Sequence, residues 1–115
     1  MRKSHIKAAV LSGRALTLRD WLAVFEGLGS AKAKGVRVSR SCWVILLGLR
    51  QVQNAVTSIY QSEEVLGYMV TRSRYASINA VLRKAGLPYR LSFCPPGRQA
   101  SRRWDERRVR MYPCE

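Results

Sequence analysis

The chain has 115 residues, 47% of them hydrophobic, which is enough for one domain with a real core. Its 21 lysines and arginines against 7 acids give a formal net charge of +14, a self-repulsion that points to a polyanionic partner, nucleic acid first and an anionic membrane surface second. Three irregularly spaced cysteines (Cys42, Cys94, Cys114), one histidine (His5) and no C-x-x-C argue against a disulfide framework and a zinc site, and predict free thiols in a reducing cytoplasm.

The opening "MRKSHIKAAVLSGRA" lacks the apolar core of a signal peptide. Ser4 is placed to cap a short helix that reaches about Leu11 and ends at Gly13. "TLRD", Thr17 to Asp20, has capping-box spacing. Leu18, Trp21, Leu22 and Phe25 then fall at helical spacings on one face, with Gly27 and Gly29 as the expected close. "GSAKAKGVRVSR" reads as a basic loop carrying Lys32, Lys34, Arg37 and Arg40, with "VRV" as a short candidate strand.

Ser41 is the expected cap of a long helix running to about Tyr60. Ile45, Leu49, Val52, Val56 and Ile59 repeat at intervals of four and three, which demands a wide apolar contact with the core or with a partner helix. The most apolar run, "CWVILLGL", is far short of the roughly 20 residues that span a bilayer, so no membrane-crossing helix is expected.

Ser62, followed by Glu63 and Glu64, suits a helix N-terminus. Val65, Leu66 and Met69 give that short helix an apolar side, and "VTRS" breaks it. A second helix is predicted from about Ser73 to Ala85, with Tyr75, Ile78, Val81, Leu82 and Ala85 inward. Ser73, Ala76, Ser77, Ala80, Arg83 and Lys84 face outward. Gly86 and Pro88 stop it. Residues 65–104 hold eight basic residues and no acid, whereas an ordinary solvated helix carries mixed charge.

"LPYRLSF" alternates as a strand does, and so does "RVRMY". The turn-rich, basic "CPPGRQASRRWDER" joins them into a hairpin. If Cys94 faces Arg108, Cys114 lies near Pro88, so these two cysteines are not expected to bond. The chain holds no GxxxxGK[ST], GxGxxG, HExxH or GxSxG. Glu63 and Glu64 are adjacent and cannot face each other on a helix. No catalytic constellation, cofactor, metal site or small-molecule substrate is therefore expected.

The stretches "SEEVLGYMVTRS", "RYASINAVLRKAG", "LPYRLSF" and "RVRMY" together resemble a winged-helix DNA-binding domain of the small phage or plasmid regulator type, over residues 62–112. "LSGRALTLRDWLAVF" is similar to the opening of some short phage winged-helix proteins. The implied architecture is mainly α with a small C-terminal β-hairpin: a winged helix-turn-helix at 41–115, preceded by N-terminal helices and a basic loop at 1–40, as one domain. The implied function is sequence-specific binding of double-stranded DNA by a cytoplasmic transcriptional regulator or accessory factor, not an enzyme. Arg72, Ser73, Arg74 and Ser77 are the candidate residues near bases. Arg83, Lys84, Arg98, Arg102 and Arg103 are the candidate phosphate contacts, the last three from the wing. Residues 41–60 are the candidate homodimer surface. Two alternatives remain. One is an RNA-binding protein whose Tyr89, Phe93, Trp104 and Tyr112 stack on unpaired bases. The other is a basic module that binds or inhibits an acidic protein.

Overall fold

The structure, a computed structural model, describes residues 10–52, 58–93 and 108–115, with Ile59 and Tyr60 entering through their backbone alone. In chain order the described elements are helices α1 (Leu18–Ala33), α2 (Arg40–Gln51), α3 (Ile59–Leu66) and α4 (Arg72–Lys84), then strands β1 (Tyr89–Ser92) and β2 (Arg110–Pro113). The expected class, mainly helical with a small C-terminal hairpin, is observed. No helix among the described residues is long and apolar enough to cross a membrane.

α1 starts where its capping box places it. The Thr17 hydroxyl accepts from the Asp20 N–H at 3.2 Å, and the Thr17 N–H donates to the Asp20 carboxylate at 2.8 Å. The helix does not close at Gly27 or Gly29. It runs on to Ala33 and ends in a Schellman turn at Gly35, whose φ of 98° takes the left-handed position. There the Val36 N–H donates to the Ala31 carbonyl and the Gly35 N–H to that of Lys32. Gly27 serves packing instead, since a Cβ there would collide with the Leu87 side chain. The buried face is also rotated from the expected one. Trp21, Val24, Leu28 and Ala31 are buried, while Leu18 and Leu22 stand in solvent. The basic loop shrinks accordingly to residues 34–39, and "VRV" forms no strand.

The long helix expected over 41–60 is two helices. Ser39, not Ser41, caps α2 by accepting from the Cys42 N–H at 3.2 Å, and α2 ends at Gln51 with Val52 as its C-cap. Ser58 then caps α3 by accepting from the Gln61 N–H at 3.3 Å. Ile45 and Leu49 are buried and Val52 is half-buried. Val56 and the Ile59 side chain lie outside the described residues. The stripe read as core or partner contact is therefore core where it is described, and residues 41–60 leave Leu47 as their one strongly exposed large apolar side chain among those described. The short helix expected from Ser4 falls mostly outside the described residues. Its predicted end, Leu11, is in a β-bridge with Cys114 rather than in a helix.

β1 and β2 pair antiparallel with Leu91 opposite Met111 and Ser92 opposite Arg110. The Cys114 N–H donates to the Pro88 carbonyl at 2.8 Å, which is the register expected from the sequence. Tyr89, Leu91 and Phe93 alternate inward with Val109 and Met111, onto a core built from Val24 and Leu28 of α1, Ile45, Leu46 and Leu49 of α2, Leu66 of α3, and Ile78 and Leu82 of α4. On the other edge of β2, the Ser12 N–H donates to Pro113 and the Glu115 N–H to Val10, both at 2.8 Å.

Candidate nucleic-acid interface

α3, a five-residue connection and α4 place the candidate site. Gly67 takes the left-handed turn at the end of α3, with φ 81°. Ser62, expected as a helix cap, lies inside α3 and is fully buried. Its hydroxyl accepts from the Val70 N–H at 3.0 Å, which ties the connection back onto α3. Thr71 then caps α4 by accepting from the Arg74 N–H at 3.2 Å. The far end is a second Schellman turn: the Leu87 N–H donates to the Leu82 carbonyl and the Gly86 N–H to that of Arg83, with Gly86 at φ 71°.

Two contacts fix α4 to the hairpin. The Asn79 amide donates to the Leu91 carbonyl at 2.9 Å and accepts from the Leu91 N–H at 2.7 Å. Because Leu91 and Met111 are opposed with the Leu91 backbone groups turned away from β2, Asn79 satisfies a strand edge that would otherwise be open. The Tyr75 ring packs on Phe93 at 5.2 Å between centroids. Sequence reading missed Asn79. Its signal was present: a mid-helix asparagine is a poor helix former that needs a tertiary partner to be worth its place.

The opposite face of α4 is open. Arg72, Ser73, Ala76, Ser77, Arg83 and Lys84 are exposed. At about 100° per residue, Arg72, Ala76 and Arg83 line one side and Ser73, Ser77 and Lys84 the other, with Ala80 between. Small side chains occupy the middle, cations the ends, and α4 contains no acid to offset the positive end of its dipole. Arg74 is placed differently from the other candidates. Its guanidinium donates to the Met69 carbonyl at 2.8 Å and lies 4.9 Å over the Tyr68 ring, so it braces the connection before α4 rather than reaching outward. Arg98, Arg102 and Arg103, like Trp104 and Cys94, lie outside the described residues. Tyr89, Phe93 and Tyr112, the candidate base-stacking aromatics, are buried.

A second polar cluster pins the hairpin to α1. Arg14 donates to the Asp20 carboxylate at 2.7 Å, and the Tyr89 hydroxyl donates to its other oxygen at 3.0 Å. The Arg14 hydrogen bond, with the Thr17 N–H and the Tyr89 hydroxyl, holds the Asp20 carboxyl well below the usual carboxylate range against the opposing effect of burial. Burial pushes the Cys42 thiol up to about 11, which leaves it a small core hydrophobe rather than a nucleophile. Among the described residues no three His, Cys, Asp or Glu side chains are grouped to hold a metal ion. The chain matches no protein-family model, no curated protein and no solved structure.

Proposed function

We propose that this chain is a sequence-specific double-stranded DNA-binding protein of the winged helix-turn-helix type, which presents α4 to the major groove. In this reading it acts in the cytoplasm as a transcriptional regulator or accessory factor of a phage or plasmid, as the family resemblance implies. One observation carries the reading: the exposed face of α4 is small in the middle, basic at its ends and free of acid, while its other face is clamped to the core and to β1. A helix docked that rigidly can enter a groove without its own side chains blocking the approach. Ser73 and Ser77 then meet base edges, Arg72 stands at the N-terminal end of the same face, and Arg83 and Lys84 meet phosphates at the other. Arg74 has a supporting role, holding the connection that aims α4. The burial of Tyr89, Phe93 and Tyr112 favours duplex DNA over stacking on single-stranded RNA.

The test compares duplex binding by Ser77→Glu and by Arg83→Ala/Lys84→Ala. Ser77→Glu sets a negative charge on the groove side of an exposed position. It should weaken binding more than about tenfold with the thermal midpoint nearly unchanged. The double alanine variant should weaken binding to all duplexes alike and lower the salt slope by up to about 2. Wild-type affinity in Ser77→Glu, or preferential displacement of the duplex by structured RNA, overturns the reading.

A further inference from the structure

α1 carries two apolar stripes, and the fold buries one of them. Trp21, Val24, Leu28 and Ala31 are in the core, whereas Leu18 and Leu22, a helical turn apart, are 62% and 51% exposed. Phe25 continues the second stripe. It is half-buried, with its ring stacked against Trp43 of α2 at 6.3 Å. Gly29 comes next, and a Cβ there would meet nothing within 4 Å, so the backbone is open to close approach. Positions 18, 22, 25 and 29 step by four, three and four, the spacing of a seam between two helices.

Charge along this seam says what covers it. The molecule is strongly basic; one flank of the stripe carries a cation and an anion, Arg19 and Glu26, and the other flank carries Lys32. Arg19 and Glu26 are both exposed, and neither has an ion-pair partner among the described residues. Being seven residues apart, they lie on the same side of the helix two turns from each other. A two-fold axis running beside α1 at the level of residue 23, perpendicular to the plane of the two helices, packs Leu22 against Phe25 of a second copy and seats Leu18 over the open backbone of Gly29. The same operation keeps each flank on its own side, so it brings Arg19 opposite Glu26 of the second copy at both ends of the contact. The Arg19–Glu26 flank is thus self-complementary, and it sets two ion pairs against the repulsion between two highly cationic copies. We propose that this face of α1 docks a second copy of the chain, antiparallel and two-fold related.

Sedimentation equilibrium of the full chain without nucleic acid, from about 1 to 100 µM, tests this. A dimer should form, and it should tighten as salt is raised, because salt screens the repulsion between the two basic molecules. Leu22→Asp should give a folded monomer, since the side chain is exposed in the single copy. Arg19→Glu and Glu26→Arg should each weaken the dimer by about tenfold, and the two together should restore it, because the swap regenerates the pairs with opposite sense. If Leu22→Asp fails to fold, the charge swaps decide alone. A monomer at every concentration and salt overturns the proposal. So does a dimer whose affinity ignores both Leu22→Asp and the charge swaps.

Discussion

Asp20 shows how much a single side chain carries in this small fold. It closes the α1 capping box, pairs with Arg14 and accepts from Tyr89, so one carboxylate joins the N-terminal segment, the first helix and the hairpin. Its folded pKa is depressed. The stability it contributes is therefore present above the unfolded value of about 4 and is lost as pH falls toward the folded one. Asp20→Asn keeps a capping oxygen but loses the charge. At pH 7 it should cost about 1–2 kcal/mol, discounted because the Arg14 end of the pair is half exposed. The gap between wild type and variant should narrow steadily below about pH 4, and denaturant titrations at several pH values measure it. A gap that stays constant down to strongly acid pH means that the ion pair contributes nothing. Asn79 does comparable work at the candidate site, but through a neutral amide that no pH change will release.

Elements whose ends are written in local chemistry were legible in the sequence. The Thr17 box starts α1, Gly86 stops α4, and the alternation of Tyr89, Leu91 and Phe93 with Arg90 and Ser92 marks β1. The outward face of α4 followed from its periodicity, and so did the exposure of Ser73, Ser77, Arg83 and Lys84. What failed to show was tertiary. Gly27 sits in a helix interior because Leu87 presses on it. α1 offers two stripes of equal spacing, and only packing selects Trp21, Val24, Leu28 and Ala31. Arg74 looked like a groove contact until Tyr68 and the Met69 carbonyl claimed it. Gly48 belongs to the same class. By propensity alone, alanine there should strengthen α2 by roughly 1 kcal/mol. A Cβ at Gly48 would, however, lie 2.6 Å from Leu66 Cδ2 and 3.3 Å from Leu66 Cα. Leu66 is buried, and its main chain cannot step aside as a flexible tip would. Gly48→Ala should therefore destabilise by about 1–2 kcal/mol despite its propensity, the cost of overpacking exceeding the helical gain. A raised denaturation midpoint would show that α2 and α3 are not in close contact.

At the scale of the whole molecule, a net charge of +14 on 115 residues sets two responses to salt that point in opposite directions. In the free protein the basic groups repel one another. The Arg14–Asp20 ion pair works against that repulsion. Raising salt screens the repulsion and should raise the thermal midpoint. In a complex with duplex DNA the same groups displace condensed counterions, and added salt opposes that release. If five or more phosphates are contacted, log affinity should fall against log salt with a slope of roughly −4.5 or steeper, at about 0.9 per contact. Measuring both on one preparation separates a general electrostatic effect from a binding one. A protein stabilised by salt that also loses its duplex with a steep slope is a cationic domain held compact against its own charge and completed by a polyanion. A nearly flat slope between low and moderate salt would mean that the cationic faces do not meet phosphates, and the DNA reading would fall with it.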